Sequence, residues 1–437
     1  FLRAVYKLQP MSSKMKFFIH TTGCKANQWD SYIITNSLKG TGHSPGSISN
    51  ADFIVINACT LTEGAERDLR RFINRSRGIN SGARIILAGC HAQVYPEQAY
   101  GADLVLGQGE KFRISEFLCL NGLFVSKTRS IPLESIIADG LPWQRTRVFL
   151  KIQDGCDRFC SYCVVPLARG KPRSRNSVEI FDAMKTFKER GVKEVVLTGI
   201  EISEYRDPLT GKDLKGLLED LEQKETPPRI RISSIDPLYL DDECIQIIRS
   251  SKKIMRSLHI PLQSGSDAIL KRMGRQYTTE YIRNLVRKLN TMIHGVGIGM
   301  DVIAGFPTEE ESHFLETSHF LSKLDIYYLH VFPFSPRKGT KAATMENAVN
   351  GTVKKRRVSL LRKLDSEMRI KFYKRFVGQK AWILAEGKMH QNLYMRGYTE
   401  NYIPVCIPYE KKLENNIVNV TIKGVQDRLV IGEPNVV

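Results

Sequence analysis

Ten short apolar runs, most of them followed by a helical stretch, constrain this chain more than any other feature. KFFIH, DFIVIN, RIILAG and ADLVLG fall between Lys16 and about Phe124, and VFLKIQ, EVVLTG, RIRISS, SLHIPL, IGMDVIAG and IYYLHVF follow. β-branched runs bounded by turn residues, with helices between them, are the pattern of buried parallel strands. The first series predicts an open parallel α/β domain. The second predicts a partial (β/α)6 barrel, a class that places its chemistry at the carboxyl ends of the strands. Segments such as TTEYIRNLVRKLNTMIH, apolar at three- and four-residue steps, supply the helices.

The runs divide the chain. Residues 15–126 form the first unit, 127–147 a linker with two prolines, and 148–376 the barrel with a closing basic helix. That helix, VKKRRVSLLRKLDSEMRIKFYKRF, has ten basic and two acidic residues, with Leu361, Leu364, Met368 and Phe372 at helical spacing. Residues 377–437 break into five short strands, predicting a small antiparallel barrel of a kind that binds single-stranded RNA. Residues 1–14 read as a leader or a disordered start, with Met11 as a candidate initiator and no secretory h-region. No apolar run approaches the roughly 18 residues of a membrane span, so no membrane partner is expected. The formal charge of +19 points to a polyanionic partner, nucleic acid first.

Cys24, Cys59 and Cys90 each lie just past one of the first three strands, on the edge where open α/β sheets bind ligands. The second domain adds QDGCDRFCSYC after its first strand, placing Cys156, Cys160 and Cys163 in C-x-x-x-C-x-x-C spacing with Tyr162 before the last. Structural zinc wants four protein ligands, and no C-x-x-C pair exists elsewhere to complete a ribbon. A four-iron cluster on three thiolates leaves one iron open, where S-adenosylmethionine binds and is cleaved to a deoxyadenosyl radical. Nine cysteines without an export signal fit a reducing cytoplasm. Cys119, Cys244 and Cys406 read as small buried hydrophobes.

The chain resembles the radical S-adenosylmethionine methylthiotransferases from Lys16 onward. The resemblance rests on TTGCKANQWDS, INACTLTEGAERDLR, LAGCHAQ, IQDGCDRFCSYCVVPLARGKPRSR, SLHIPLQSGSDAILKRMGRQYT and GMDVIAGFPTEE, together and in order. The tail is similar to that family's RNA-binding TRAM barrel. The resemblance implies a second [4Fe-4S] cluster on Cys24, Cys59 and Cys90. It implies one S-adenosylmethionine spent on the radical and another as methyl donor, with sulfur delivered at the auxiliary cluster. A low-potential electron donor and a tRNA anticodon stem-loop are the implied partners. GCKANQ, LARGKPRSR and GYTENYI look most like the enzymes that act on N6-threonylcarbamoyladenosine. Tyr32 stands where the family commonly has glutamate, and Glu201 replaces a histidine frequent in that subgroup.

Family positions facing S-adenosylmethionine fall on Tyr162, Thr198, Gly199, Ser233, Ser234, Gln263, Asp301 and Gly305. As bare sequence these are equally turn and rim residues, and Asp301 is equally a buried structural carboxylate. Arg169, Lys171, Arg173 and Arg175 alternate, which in an extended segment puts them on one face, suited to phosphate or a substrate carboxylate. The histidines show no ligand spacing, and no general acid or base stands out. Other readings are methylthiolation of N6-isopentenyladenosine, a ribosomal protein substrate, and a tRNA-binding iron–sulfur protein without turnover. The protein substrate is disfavoured by reading the tail as strongly basic.

Overall fold

The computed structural model describes residues 14–128, 133–134, 146–388 and 393–435. The proposed leader and most of the linker lie outside them. The amino-terminal assembly runs β1 (Lys16–Thr21), α1 (Lys25–Gly40), β2 (Ser44–Pro45), β3 (Phe53–Ala58), α2 (Glu63–Ile79), β4 (Arg84–Gly89), α3 (Cys90–Val94), β5 (Leu104–Leu106) and β6 (Gly122–Phe124). Its strands form one parallel sheet in the order β2-β1-β3-β4-β5-β6. Sequence patterning anticipates four of the six; β2 and β6 are too short to carry a pattern. β3 is buried along its whole length, as expected of a strand covered on both faces. α2 starts where the Thr62 side chain accepts from the Ala65 amide (3.2 Å), with Glu63 and Glu66 favoured in its first turn.

The central assembly comprises β7 (Arg147–Lys151), β8 (Gln153–Asp154), α4 (Val165–Arg169), β9 (Arg173–Ser174), α5 (Ser177–Glu189), β10 (Glu194–Thr198), α6 (Leu214–Gln223), β11 (Arg229–Ile232) and α7 (Asp242–Ser250). It continues with β12 (Ser257–Gln263), α8 (Asp267–Met273), α9 (Thr279–Met292), β13 (Gly297–Ala304), α10 (Glu311–Lys323), β14 (Tyr328–Pro333) and α11 (Gly351–Lys374). Parallel triplets β7-β10-β11 and β12-β13-β14 are joined by parallel bridges at Ile230–Ile254 and Ser234–His259. This is the expected six-strand partial barrel, in chain order and open between β7 and β14. The amino-terminal assembly reaches both edges of the opening. Trp29, Tyr32 and Ile33 of α1 share a core with Val148, Leu150 and Ile152. Beyond β14, the Glu63 amide donates to Ser335 Oγ (2.9 Å) and Arg337 pairs with Glu66.

The carboxy-terminal strands β15 (Lys380–Lys388), β16 (Tyr394–Tyr398), β17 (Pro404–Pro408), β18 (Ile417–Gln426) and β19 (Leu429–Pro434) close into a barrel ordered β15-β16-β17-β19-β18. It is not wholly antiparallel, because β17 and β19 pair in parallel. Nor is it strongly basic: residues 377–437 hold seven Lys and Arg against six Asp and Glu. The basic excess lies in α11, where Leu361, Met368 and Phe372 pack and Lys355, Arg362, Lys363, Lys371 and Lys374 face solvent. Cys244 and Cys406 are buried as expected, whereas Cys119 is exposed. Among the described residues no helix is long and apolar enough to cross a membrane.

The small barrel is docked hard against the large one. Arg229 donates to the carbonyls of Tyr398 (3.0 Å) and Trp382 (2.8 Å), and Arg231 to those of Thr399 (2.7 Å) and Glu400 (3.0 Å). Arg147 pairs with Glu386 at 2.5 Å. Tyr327, Tyr328, Phe372 and Tyr373 of the central assembly belong to the same core as Ile383, Ile403 and Val405. The GYTENYI segment is thus a plug at the amino-terminal end of the central strands.

Candidate active site

β1, β3 and β4 are neighbours in the sheet, so the residues after their carboxyl ends are neighbours too. Cys24 caps α1, Cys59 follows β3 and Cys90 opens α3. Gly23 lies at φ +92°, and a Cβ there would meet Cys59 Sγ at 2.7 Å; only glycine permits this approach. Asn57 steadies the edge, donating to the Asn27 carbonyl (2.8 Å) and Ser31 Oγ (2.9 Å), while Gln108 Nε2 donates to Cys90 Sγ (3.3 Å). Burial raises the Cys24 pKa. It pushes the Cys59 thiol up to about 12, with Cys90 and Cys24 adding to the effect. A cation would favour the thiolate forms of Cys24 and Cys59, and a metal cluster would supply one.

The second triplet lies in the loop between β8 and α4. The Cys156 amide donates to the Gly170 carbonyl (3.0 Å), the Cys163 amide to that of Cys160 (2.9 Å), and Arg275 Nη1 to Cys160 Sγ (3.5 Å). Burial pushes Cys156 to about 12 and Cys163 to about 11. The two triplets adjoin: α3, opened by Cys90, packs on α4, just after Cys163.

Thr198, Ser233, Gln263 and Gly305 end or follow β10, β11, β12 and β13, on the same edge as the second triplet. Gly199 abuts Gln153, whose Oε1 accepts from the Ile200 (3.0 Å) and Glu201 (2.9 Å) amides. Ser233 Oγ is buried without a partner among the described residues, and Ser234 pairs with His259. Gln263 is held at φ +75°, and the Gly305 amide donates to Glu309 (2.9 Å). Tyr162 packs among Ile269, Met273 and Phe306.

Asp301 lies apart from this rim. It sits inside β13 and accepts from His259 Nε2 (2.9 Å) and His330 Nδ1 (3.4 Å), a grouping that sequence spacing hid because three adjacent strands build it.

Arg169, Lys171, Arg173 and Arg175 do not share one face. Arg169 ends α4 and is buried, bonded to Asp154 (3.0 Å), Asn27 (2.6 Å) and Asp30 (2.9 Å). Arg175 is buried against Glu179 and Glu134 (2.7 and 3.4 Å), and Arg173 reaches Asp154 (3.3 Å). Only Lys171 is exposed. Lys111 and Lys151 complete the buried network on Asp30 at 2.6 and 2.5 Å. Burial alone would raise the Asp30 pKa, but Lys111, Lys151 and Arg169 hold it well below the carboxylate range.

Inside the partial barrel is a cavity of ≈ 410 Å³. Phe149, Val196, Ile232, His259 and Tyr328 line its wall, Arg147, Arg231, Glu386 and Tyr402 its floor, and Lys25 enters from the amino-terminal assembly. Neither Lys25 nor the floor arginines stood out in the sequence.

Two family models match: the radical SAM superfamily over residues 150–321, and an uncharacterised family, UPF0004, over 16–107. Threonylcarbamoyladenosine tRNA methylthiotransferase MtaB of Bacillus subtilis (strain 168) is 35% identical over 421 residues, 92% of each chain. The chain belongs to the radical S-adenosylmethionine methylthiotransferases. MtaB of Thermotoga maritima is 35% identical over 88% of this methylthiotransferase and 89% of its own length. A tRNA-2-methylthio-N(6)-dimethylallyladenosine synthase of Bacillus pumilus is 30% identical over 98% and 87%. Among solved structures, the radical S-adenosylmethionine methyltransferase TsrM of Kitasatospora setae superposes with a TM-score of 0.55 at 14% identity, over 76% of this chain and 77% of its own. That likeness concerns the fold. Membership brings a [4Fe-4S] cluster and S-adenosylmethionine to this methylthiotransferase.

Proposed function

We propose that this methylthiotransferase places S–CH3 on carbon 2 of N6-threonylcarbamoyladenosine beside the anticodon of tRNA. The observation that carries the reading is the pair of adjoining cysteine triplets, each short of a fourth ligand. Cys156, Cys160 and Cys163 would hold the radical cluster, and Cys24, Cys59 and Cys90 an auxiliary one. When bound, these groups and S-adenosylmethionine supply a hydrogen-abstracting radical, sulfur and methyl, given a low-potential electron donor. Thr198, Gly199, Ser233, Ser234, Gln263 and Gly305 would hold S-adenosylmethionine along the strand ends. The exposed lysines and arginines of α11 would meet tRNA phosphates, and the base must leave its stack to reach the site. A tRNA substrate places the work in the cytoplasm.

The modification is supported by relatives named for threonylcarbamoyladenosine at 35% identity, against 30–31% for those named for dimethylallyladenosine. Expression in a strain lacking its own methylthiotransferases, with mass analysis of tRNA nucleosides, tests the assignment. The expected product is 2-methylthio-N6-threonylcarbamoyladenosine. The isopentenyl product alone would overturn it.

A further inference from the structure

The cavity inside the partial barrel holds anions and cations whose pairing can be followed one by one. Glu194 Oε1 is shared by Arg147 Nε (2.5 Å) and Arg231 Nε (2.9 Å), and Glu386 Oε1 takes Arg147 Nη1 at 2.5 Å. Asp301 is engaged by His259 and His330. Lys25 is the exception: it lines the same cavity, directly after Cys24, and among the described residues no acceptor is bonded to it. Its side chain keeps access to solvent, and each carboxylate around the cavity already has a closer partner. A carboxylate carried by a ligand is the acceptor still open to it.

We propose that Lys25 is the specificity-determining residue of the substrate site, its ammonium receiving the carboxylate of the threonylcarbamoyl group. This rests on the function proposed above. The cavity volume falls within the range of small-ligand sites. Phe149, Val196 and Ile232 give the wall an apolar surface against which a flat, extruded purine can pack. The side chain projects from the residue next to a proposed cluster ligand, so a base whose N6 arm meets Lys25 stays beside the sulfur-bearing triplet. An isopentenyl arm would displace water from the ammonium and offer it no acceptor in return, the situation in which a polar site rejects an apolar analogue.

The test is binding, by fluorescence anisotropy, of anticodon stem-loop oligonucleotides to the cluster-loaded full chain. One carries N6-threonylcarbamoyladenosine and another its carboxylate methyl ester. The wild-type protein is expected to prefer the acid by about 10- to 100-fold, the worth of a hydrogen bond to a charged group. Lys25→Met should erase that preference and Lys25→Arg should retain it, with iron content unchanged in both. If Lys25→Met loses iron, the comparison of acid and ester on the wild-type protein decides alone. Equal binding of the two by wild type, or continued discrimination by an iron-replete Lys25→Met, would overturn the role of Lys25. A wild-type enzyme that modifies only isopentenyladenosine would instead overturn the proposed function.

Discussion

Gly23 brings its backbone against Cys59 in a conformation that a side chain resists, so its smallness is tied to the spacing of the first triplet. Gly23→Ala should therefore part Cys24 from Cys59 and cost the auxiliary cluster proposed for that triplet. Iron after anaerobic reconstitution is expected to fall from about eight to about four per chain, with the radical cluster's spectrum retained. Arg169 makes a different argument. Replacing it by Met leaves Asp30 and Asp154 short of their guanidinium in a buried network, and breaking such a pair costs about 3–5 kcal/mol. Urea unfolding should register that loss. The six cysteines were legible because each follows a recognisable strand or sits in a tight motif. The network was not, because Asp30 finds Lys111, Lys151 and Arg169 at separations of 81, 121 and 139 residues, and no local pattern spans such distances. The even alternation of Arg169, Lys171, Arg173 and Arg175 misled for a related reason. It assumed an extended segment, whereas Arg169 belongs to a helix and only the pair Arg173–Ser174 is strand.

At the scale of elements the strands of the central barrel were readable to within a few residues, since their apolar β-branched runs answer to burial alone. α11 was readable as two-faced, but its charge is partly spent inside the protein. Arg357 is buried against Glu309 (2.6 Å) and Glu311 (3.0 Å), and Arg369 pairs with Asp365 (2.9 Å) along the helix. The residues left for nucleic acid are Lys355, Arg362, Lys363, Lys371 and Lys374. Changing Arg362, Lys363 and Lys371 to Glu should weaken tRNA binding and flatten its salt dependence. The slope of log affinity against log salt should drop by about one for each phosphate no longer neutralised. Filter binding across a salt series measures it, and the same triple change should leave iron content at the wild-type level. The cationic helix stands as the sequence suggested, whereas the reading of the tail as strongly basic does not, because residues 377–437 are near charge balance.

For the whole molecule, the carboxy-terminal barrel is part of the central fold, sharing a core with Tyr327, Tyr328, Phe372 and Tyr373 and taking the side chains of Arg229 and Arg231 onto its carbonyls. Deleting residues 377–437 is therefore expected to lower the thermal midpoint of the remaining chain, besides weakening its hold on tRNA. Calorimetry of the intact chain should show the small barrel melting with the large one in a single transition. The same packing sets an order in time. Synthesis proceeds from the amino end, so both cysteine triplets are complete by Cys163, while Glu386 and Tyr402, which line the cavity floor, are made well after them. A polypeptide interrupted between them holds all six triplet thiols and lacks the cavity floor, so the segment from Glu386 to Tyr402 is what separates a fragment bearing the thiols from a chain that also has the cavity.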